Sequence, residues 1–308
     1  MISRRIIRVK VMQTLYSLET QDMPVSAAEA VRMLQKHFDL SRQLLVYLAY
    51  FITEVARYSE TDARNKASKH LPSATDLSIN TKIAGNQLLW KILEHSSYLR
   101  MLKEDKPHLM EDAGLVRKVY IELAASEKYK EYIGALSREK KTEKEILEFI
   151  LSDLMLPNES FIGYIEEKFP NWDDDAEMVI QLLMSFMGKP QGFDFGELIG
   201  ADKWLFAKEL LRTAIDKKEV TMDYIKPKLK NWDADRIAVL DMLLMRLGVC
   251  EFLYFETIPP KVTINEYIDL AKDYSTEQSG QFVNGILDNI HKELIQDDKM
   301  HKVSFKSS

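Results

Sequence analysis

The chain has 308 residues, enough for about two domains of ordinary size, with 46% apolar and 29% charged residues and a net charge of −6. This composition fits a soluble globular protein and speaks against one that coats nucleic acid through its overall field. No apolar run approaches the roughly 18 residues of a membrane span, the N-terminus lacks a secretory h-region, and a single cysteine, Cys250, excludes an internal disulfide framework. A reducing cytoplasm is the expected location.

In chain order, residues 4–19 read as the first helix, because Ile7, Val11, Leu15 and Leu18 recur at intervals that form one apolar stripe. Arg4, Arg5, Arg8 and Lys10 make its start basic, and no acidic residue occurs before Glu19. Such a run is either a solubilising end or a set of contacts to RNA. Guanidinium groups suit RNA because they are planar, permanently charged and rich in donors. Tyr16, two turns beyond Arg8, either offers a stacking surface or packs into the core. After a break at Gln21-Asp22-Met23-Pro24, the spacing of Leu34, Phe38, Leu45, Leu48, Ile52 and Val55 predicts a long helix or a hairpin bent near Leu40-Ser41. Leu71-Pro72-Ser73 reads as a linker, and further helices are predicted over 81–103, 112–133 and 142–156. No β-type alternation persists beyond a few residues, so the predicted class is all-α.

Residues 143–188 align without a gap to 203–248. Twelve of these 46 positions are identical, including Tyr164/Tyr224, Asn171/Asn231, Trp172/Trp232 and Gly188/Gly248. Two copies are too few for a solenoid, which leaves duplication of a helical unit as the simpler reading. The Asn-Trp-Asp stretch is expected to cap the helix that follows it, with the Trp packed beneath the turn.

Signals for catalysis are weak. Asp173-Asp174-Asp175 fits the positive start of a helix better than a metal site, since the second copy places Ala234 in the middle. The six histidines show no i,i+3 or i,i+4 pairing, and Cys250 reads as a small core residue. Gly188-Lys189-Pro190-Gln191-Gly192 lacks the spacing and the preceding strand of a phosphate loop. No cofactor and no catalytic residue is expected.

Arg4-Arg5-Ile6-Ile7-Arg8, continuing into Gln13-Thr14-Leu15-Tyr16, resembles the opening arginine-rich helix of the NusB family of transcription antitermination factors. The later motifs Asn231-Trp232-x-x-x-Arg236, Leu240-Asp241, Met245-Arg246-Leu247-Gly248 and Glu251-Phe252-Leu253 follow the family pattern in order. Pro259-Pro260-Lys261-Val262-x-Ile264-Asn265-Glu266 and Ser279-x-x-Phe282-Val283-Asn284-Gly285 complete it. The resemblance covers 1–20 and roughly 195–295. It implies a NusB-like helical bundle of two small subdomains formed by 1–21 and 193–296, a large helical insertion over 22–192, and a flexible tail over 297–308.

The same resemblance implies a non-enzymatic factor that binds the boxA element of nascent ribosomal RNA together with NusE, a small ribosomal subunit protein. Other Nus factors and RNA polymerase would be indirect partners, and no membrane is involved. Arg4, Arg5 and Arg8, with Lys10 beside them, fall in its RNA-binding motif. Tyr16 and Asp241 fall where the family places further RNA contacts, and Gln278 and Ser279 are weaker transfers. Val9 and Gln278 depart from acidic residues common in the family. Among the other matching residues, Asn265, Glu266 and Asn284 are expected to join loops to helix ends, Phe282 to enter the core, and Gly285 to allow close helix packing. Two other readings stand beside this one: a helical scaffold that binds another protein, and a module related to the N-terminal domain of a ribosomal RNA methyltransferase.

Overall fold

A computed structural model describes residues 2–20, 25–229 and 237–303, and among these the regular structure is entirely helical. Helix α1 (Arg4–Thr20) buries Ile7, Val11 and Leu15, the stripe expected from their spacing. Ser3 accepts a hydrogen bond from the Ile6 amide at the helix start. Helix α2 (Ala27–Ala67) opens with a reciprocal cap, in which Ser26 Oγ accepts from the Glu29 amide and the Glu29 carboxylate accepts from the Ser26 amide. It runs unbroken through Leu40 and Ser41, so the long-helix alternative is the one realised.

The predicted helix over 81–103 is instead a 3-10 turn at 82–85 followed by two helices. A short helix α3 (Ala74–Leu77) precedes that turn, and α4 (Gln87–Leu93) and α5 (Ser96–Asp105) follow it. The break comes from Asn86, whose buried side chain accepts from the Leu88 and Leu89 amides and so starts a new helix. The predicted segment 112–133 likewise divides into α6 (Ala113–Ala125) and α7 (Glu127–Gly134), with Ser126 capping the second. Helix α8 (Lys140–Phe149) passes into a π-helical turn over 150–155, and α9 (Glu159–Lys168) and α10 (Trp172–Gly188) follow. The remaining helices are α11 (Ala201–Asp216), α12 (Lys218–Ile225), α13 (Val239–Tyr254), α14 (Pro260–Tyr274) and α15 (Ser279–Gln296).

The chain separates into two compact units, one of residues 1–37 and 199–308 and the other of 38–198, so the division falls inside α2. In the first unit α13 is the central element, packed by α1, α11, α12, α14 and α15. Every residue from Leu243 to Phe252 is buried, as expected of a helix surrounded on all sides. Close packing comes at Gly248, where a Cβ would lie 2.8 Å from Leu287 of α15. Gly285, expected to serve this purpose, is exposed and has nothing within 4 Å of its Cβ position. Pro259 caps α14 and Pro260 occupies its first turn, where a missing N–H costs nothing. At the C-terminal end, Lys302 donates to the carbonyls of Glu251 and Phe255, and the Val303 amide donates to Glu256. Residues as far as 303 are thereby tied to the end of α13, although a free tail is expected from 297. Burial pulls the Lys302 ammonium down to about 8.

The second unit is centred on the later part of α2. Tyr47 lies 5.4 Å from Phe169 and 6.3 Å from Tyr164 between ring centroids, and Phe51 lies 4.8 Å from Phe161. Asp175, in the acidic first turn of α10, is buried and accepts from Ser41 of α2. Asn171 does not cap α10 as expected. Its amide donates to Asp175 at 2.6 Å, while Trp172, the first residue of α10, is buried. The corresponding Asn231-Trp232-Asp233 lies outside the described residues.

Candidate nucleic-acid interface

The basic residues of α1 have different surroundings, and helix geometry combined with partners distant in sequence determines which. Arg4 is exposed at the helix start, its guanidinium 5.5 Å from the centre of the Phe206 ring. Arg5 is partly exposed and donates to Asp273 of α14 at 2.6 Å. Tyr16 is 44% exposed, which makes it a surface ring and not a core one. It follows Arg5 by 11 residues, about three helical turns, so both side chains leave α1 along one stripe about 16 Å apart. An exposed ring in line with an accessible guanidinium can stack a base while the cation meets a phosphate.

Arg8 lies elsewhere. Although one turn from Arg4, it is 1% exposed and forms a two-pronged pair with Glu251 of α13, through Nε at 2.7 Å and Nη2 at 3.0 Å. Glu266 of α14 lies 3.4 Å from Nη1, and the Phe206 and Tyr267 rings flank the guanidinium at 5.7 and 5.8 Å. Thr263 and Tyr267 donate to the same Glu251 carboxylate. Burial opposes the Arg8 charge, yet the hydrogen bonds and charge of Glu251 win and hold its pKa above the ordinary arginine value. The Tyr267 hydroxyl is driven well above its usual range by burial and by the same carboxylate. Arg8 thus joins α1, α13 and α14. An RNA phosphate has no access to it in this arrangement. Lys10 is also fully buried, and Val9 beside it is a core residue.

Asp241, Gln278 and Ser279 form a second group. Ser279 Oγ donates to Asp241 Oδ2 at 2.8 Å and lies 2.9 Å from Thr276 Oγ1, which gathers the start of α15 onto α13. Both Asp241 and Ser279 are buried, whereas Gln278 is exposed at the cap position of α15. Asp241 Oδ1 is buried with no hydrogen-bond partner among the described residues. The end of α14 serves both groups, since Asp273 accepts from Arg5 and Ser275, two residues on, accepts from Ser279 at 3.0 Å.

Several residues that shape the site were given other roles by sequence, or none. Glu266 is not a loop-to-helix link but a member of α14 beside Arg8. Asn265 and Asn284 lie exposed within α14 and α15, and Phe282 is half-buried. Glu251 stands in a family-like motif, but its partner Arg8 is 243 positions away. Asp273 and Phe206, which modulate Arg5 and Arg4, carry no local signal. Arg246, in the same family-like stretch, is buried and donates to Glu19 of α1 at 2.6 Å and to the Ala214 carbonyl of α11. Glu19 is partly desolvated, but Lys218 and Arg246 lower its pKa below the usual carboxylate range. The described residues contain no group of three or more His, Cys, Asp or Glu able to hold a metal, and no helix is long and apolar enough to cross a membrane.

The NusB family model matches residues 193–292, which takes in α11 to α14 and most of α15 and leaves α1 outside the match. The transcription antitermination protein NusB of Methylacidiphilum infernorum is 40% identical over 126 residues, 38% of this chain and 87% of that protein. Its namesake in Finegoldia magna is 44% identical over 87 residues, 28% of this chain and 64% of the relative. The one from Chloroherpeton thalassium is 39% identical over 97 residues, 32% of this chain and 46% of the relative. For the last two, the chain spans less than two thirds of the relative's length. No solved structure matches the chain. With most of the Methylacidiphilum protein covered at this identity, and the matched helices packed around a shared central α13, the chain belongs to the NusB family.

Proposed function

We propose that this chain is a transcription antitermination factor that binds a boxA-like single-stranded segment of nascent ribosomal RNA together with NusE. It acts as an adaptor and not as an enzyme, with other Nus factors and RNA polymerase engaged indirectly. Arg4 and Arg5 meet phosphates, and Tyr16 stacks a base. Gln278, with Asp241 and Ser279 behind it, supplies a second group of polar contacts. Arg8 and Lys10 support the helix from within. The observation that carries this reading is the accessible Arg5–Tyr16 stripe on a helix whose other face is fixed to the family-matched core. Within the insertion over 22–192, the stretch 143–188 is assigned to a copy of the helical unit at 203–248, without the RNA-binding role.

The burial of Arg8 and the pairing of Arg5 with Asp273 favour a second reading, a helical scaffold without RNA affinity. Fluorescence anisotropy with a boxA-like RNA, with and without NusE, separates the two. The adaptor predicts binding whose logarithm falls with the logarithm of salt by about 0.7 per phosphate neutralised. Absence of salt-dependent binding under both conditions rejects it in favour of the scaffold.

A further inference from the structure

We propose that the second unit binds a small phosphorylated molecule in the cleft bounded by α4, the start of α8 and the end of α10. The cleft has a volume of about 500 Å³, within the range of small-molecule sites. Four lysines line it: Lys91 from α4, Lys140 and Lys144 from α8, and Lys189 just beyond α10. Only two acidic residues, Glu94 and Glu143, accompany them, in a chain whose net charge is −6. One of these is already neutralised, because Glu143 is buried and accepts from Tyr132, the Gln87 amide and Arg138. Lys144 is paired with Glu148 at 3.0 Å. The ammonium groups of Lys91, Lys140 and Lys189 have no hydrogen-bond or ion-pair partner among the described residues.

Three cations without a direct partner line one concavity against the single carboxylate of Glu94, so an anion placed among them gains more attraction than repulsion. Lysine is a point-charge donor suited to phosphate, whose charge is spread over several oxygens. Leu88, Met187 and Pro190 supply an apolar wall for the body of the ligand. The stretch Gly188 to Gly192, which has no place in the antitermination reading, supplies part of the lining and turns away through Gly192 at a φ of 81°. The cleft's size favours a mononucleotide-sized compound over a polynucleotide strand.

The test is isothermal titration calorimetry of the full chain with ATP and with inorganic phosphate as probes. The expected result is one site per chain, tighter for ATP than for phosphate. The variant K91Q/K140Q/K189Q should weaken it at least tenfold, whereas K141Q, an exposed neighbour outside the cleft, leaves it unchanged. Arg4→Ala/Arg5→Ala also leaves it unchanged, so failure of this site and failure of the antitermination reading are told apart. Absence of binding by both probes at millimolar concentration overturns the proposal, as does undiminished binding in the triple variant. Loss of single-stranded RNA binding in the triple variant, with no probe bound, assigns these lysines to RNA and overturns it equally.

Discussion

Each unit holds a buried glutamate that joins several helices, and the two differ in their partners. In the first unit Glu251 faces Arg8, itself 1% exposed, along with Thr263 and Tyr267. In the second, Glu143 faces Arg138, which is 34% exposed, along with Tyr132 and the Gln87 amide. Neither hub lies at a repeat-equivalent position, since at the offset of 60 Glu143 falls opposite Lys203 and Glu251 opposite Gln191. The repeated stretches share apolar spacing and helix order, and each polar centre depends on elements outside the repeat: α1 and α14 in one unit, α4 and α7 in the other. Duplication of an apolar pattern therefore supplies packing surfaces without fixing where charge is buried.

This contrast is broken most forcefully at Glu251. Glu251→Ala removes both short hydrogen bonds from the buried Arg8 guanidinium, leaves it only Glu266 at 3.4 Å, and should cost about 3–5 kcal/mol in urea unfolding. Glu143→Ala should cost about 1–3 kcal/mol, because Arg138 already bonds the Gly85 and Lys82 carbonyls and reaches solvent. Hydrogen exchange should localise the first loss to α1, α13 and α14 and the second to α4, α7 and α8. Equal costs would show that the exposure of the cationic partner does not matter.

A smaller effect separates two glycines of the first unit. Gly248→Ala should destabilise by about 1 kcal/mol or more through the contact with Leu287. Gly285→Ala should stabilise by about 0.5–1 kcal/mol, since helix propensity acts there without a clash. Thermal unfolding reads both signs, and the same sign for both would contradict the packing of α13 on α15. Asp273→Asn releases Arg5 from a surface pair, so RNA affinity should rise about two- to fivefold with stability nearly unchanged. A fall in affinity would place Asp273 within the site.

Cys250 gives the weakest effect at neutral pH. Burial pushes its thiol up to about 12, so a thiol reagent should react only after unfolding. The folded state keeps a proton that the unfolded chain releases near the ordinary thiol value. Its stabilising contribution is therefore complete below that value and declines as pH rises toward 12. Fast labelling of the native protein at neutral pH would contradict the burial of α13.

How much of this was legible in the sequence depended on the distance over which each feature is decided. The stripe Ile7, Val11, Leu15 is decided within one helix, and its spacing was sufficient. The breaks at Asn86 and Ser126 were missed because each is one short polar residue inside an otherwise periodic run. The basic residues show the limit most clearly. Arg4 and Arg8 are one turn apart and look equivalent, yet Arg8 is withdrawn from the surface by Glu251, 243 residues away, while Arg4 is not. Tyr16, balanced in sequence between stacking and packing, is placed at the surface because the core side of α1 is already filled by Leu15 and its neighbours.

The central claim is that the arginines of α1 divide into outward contacts and an inward support. It is tested most directly by anisotropy titrations of a boxA-like RNA against Arg4→Ala/Arg5→Ala at two or more salt concentrations. The account predicts at least about a tenfold loss of affinity, a salt slope shallower by about 1.4, and a stability change below about 1 kcal/mol. Wild-type affinity and slope in this variant, with the protein folded, would contradict it.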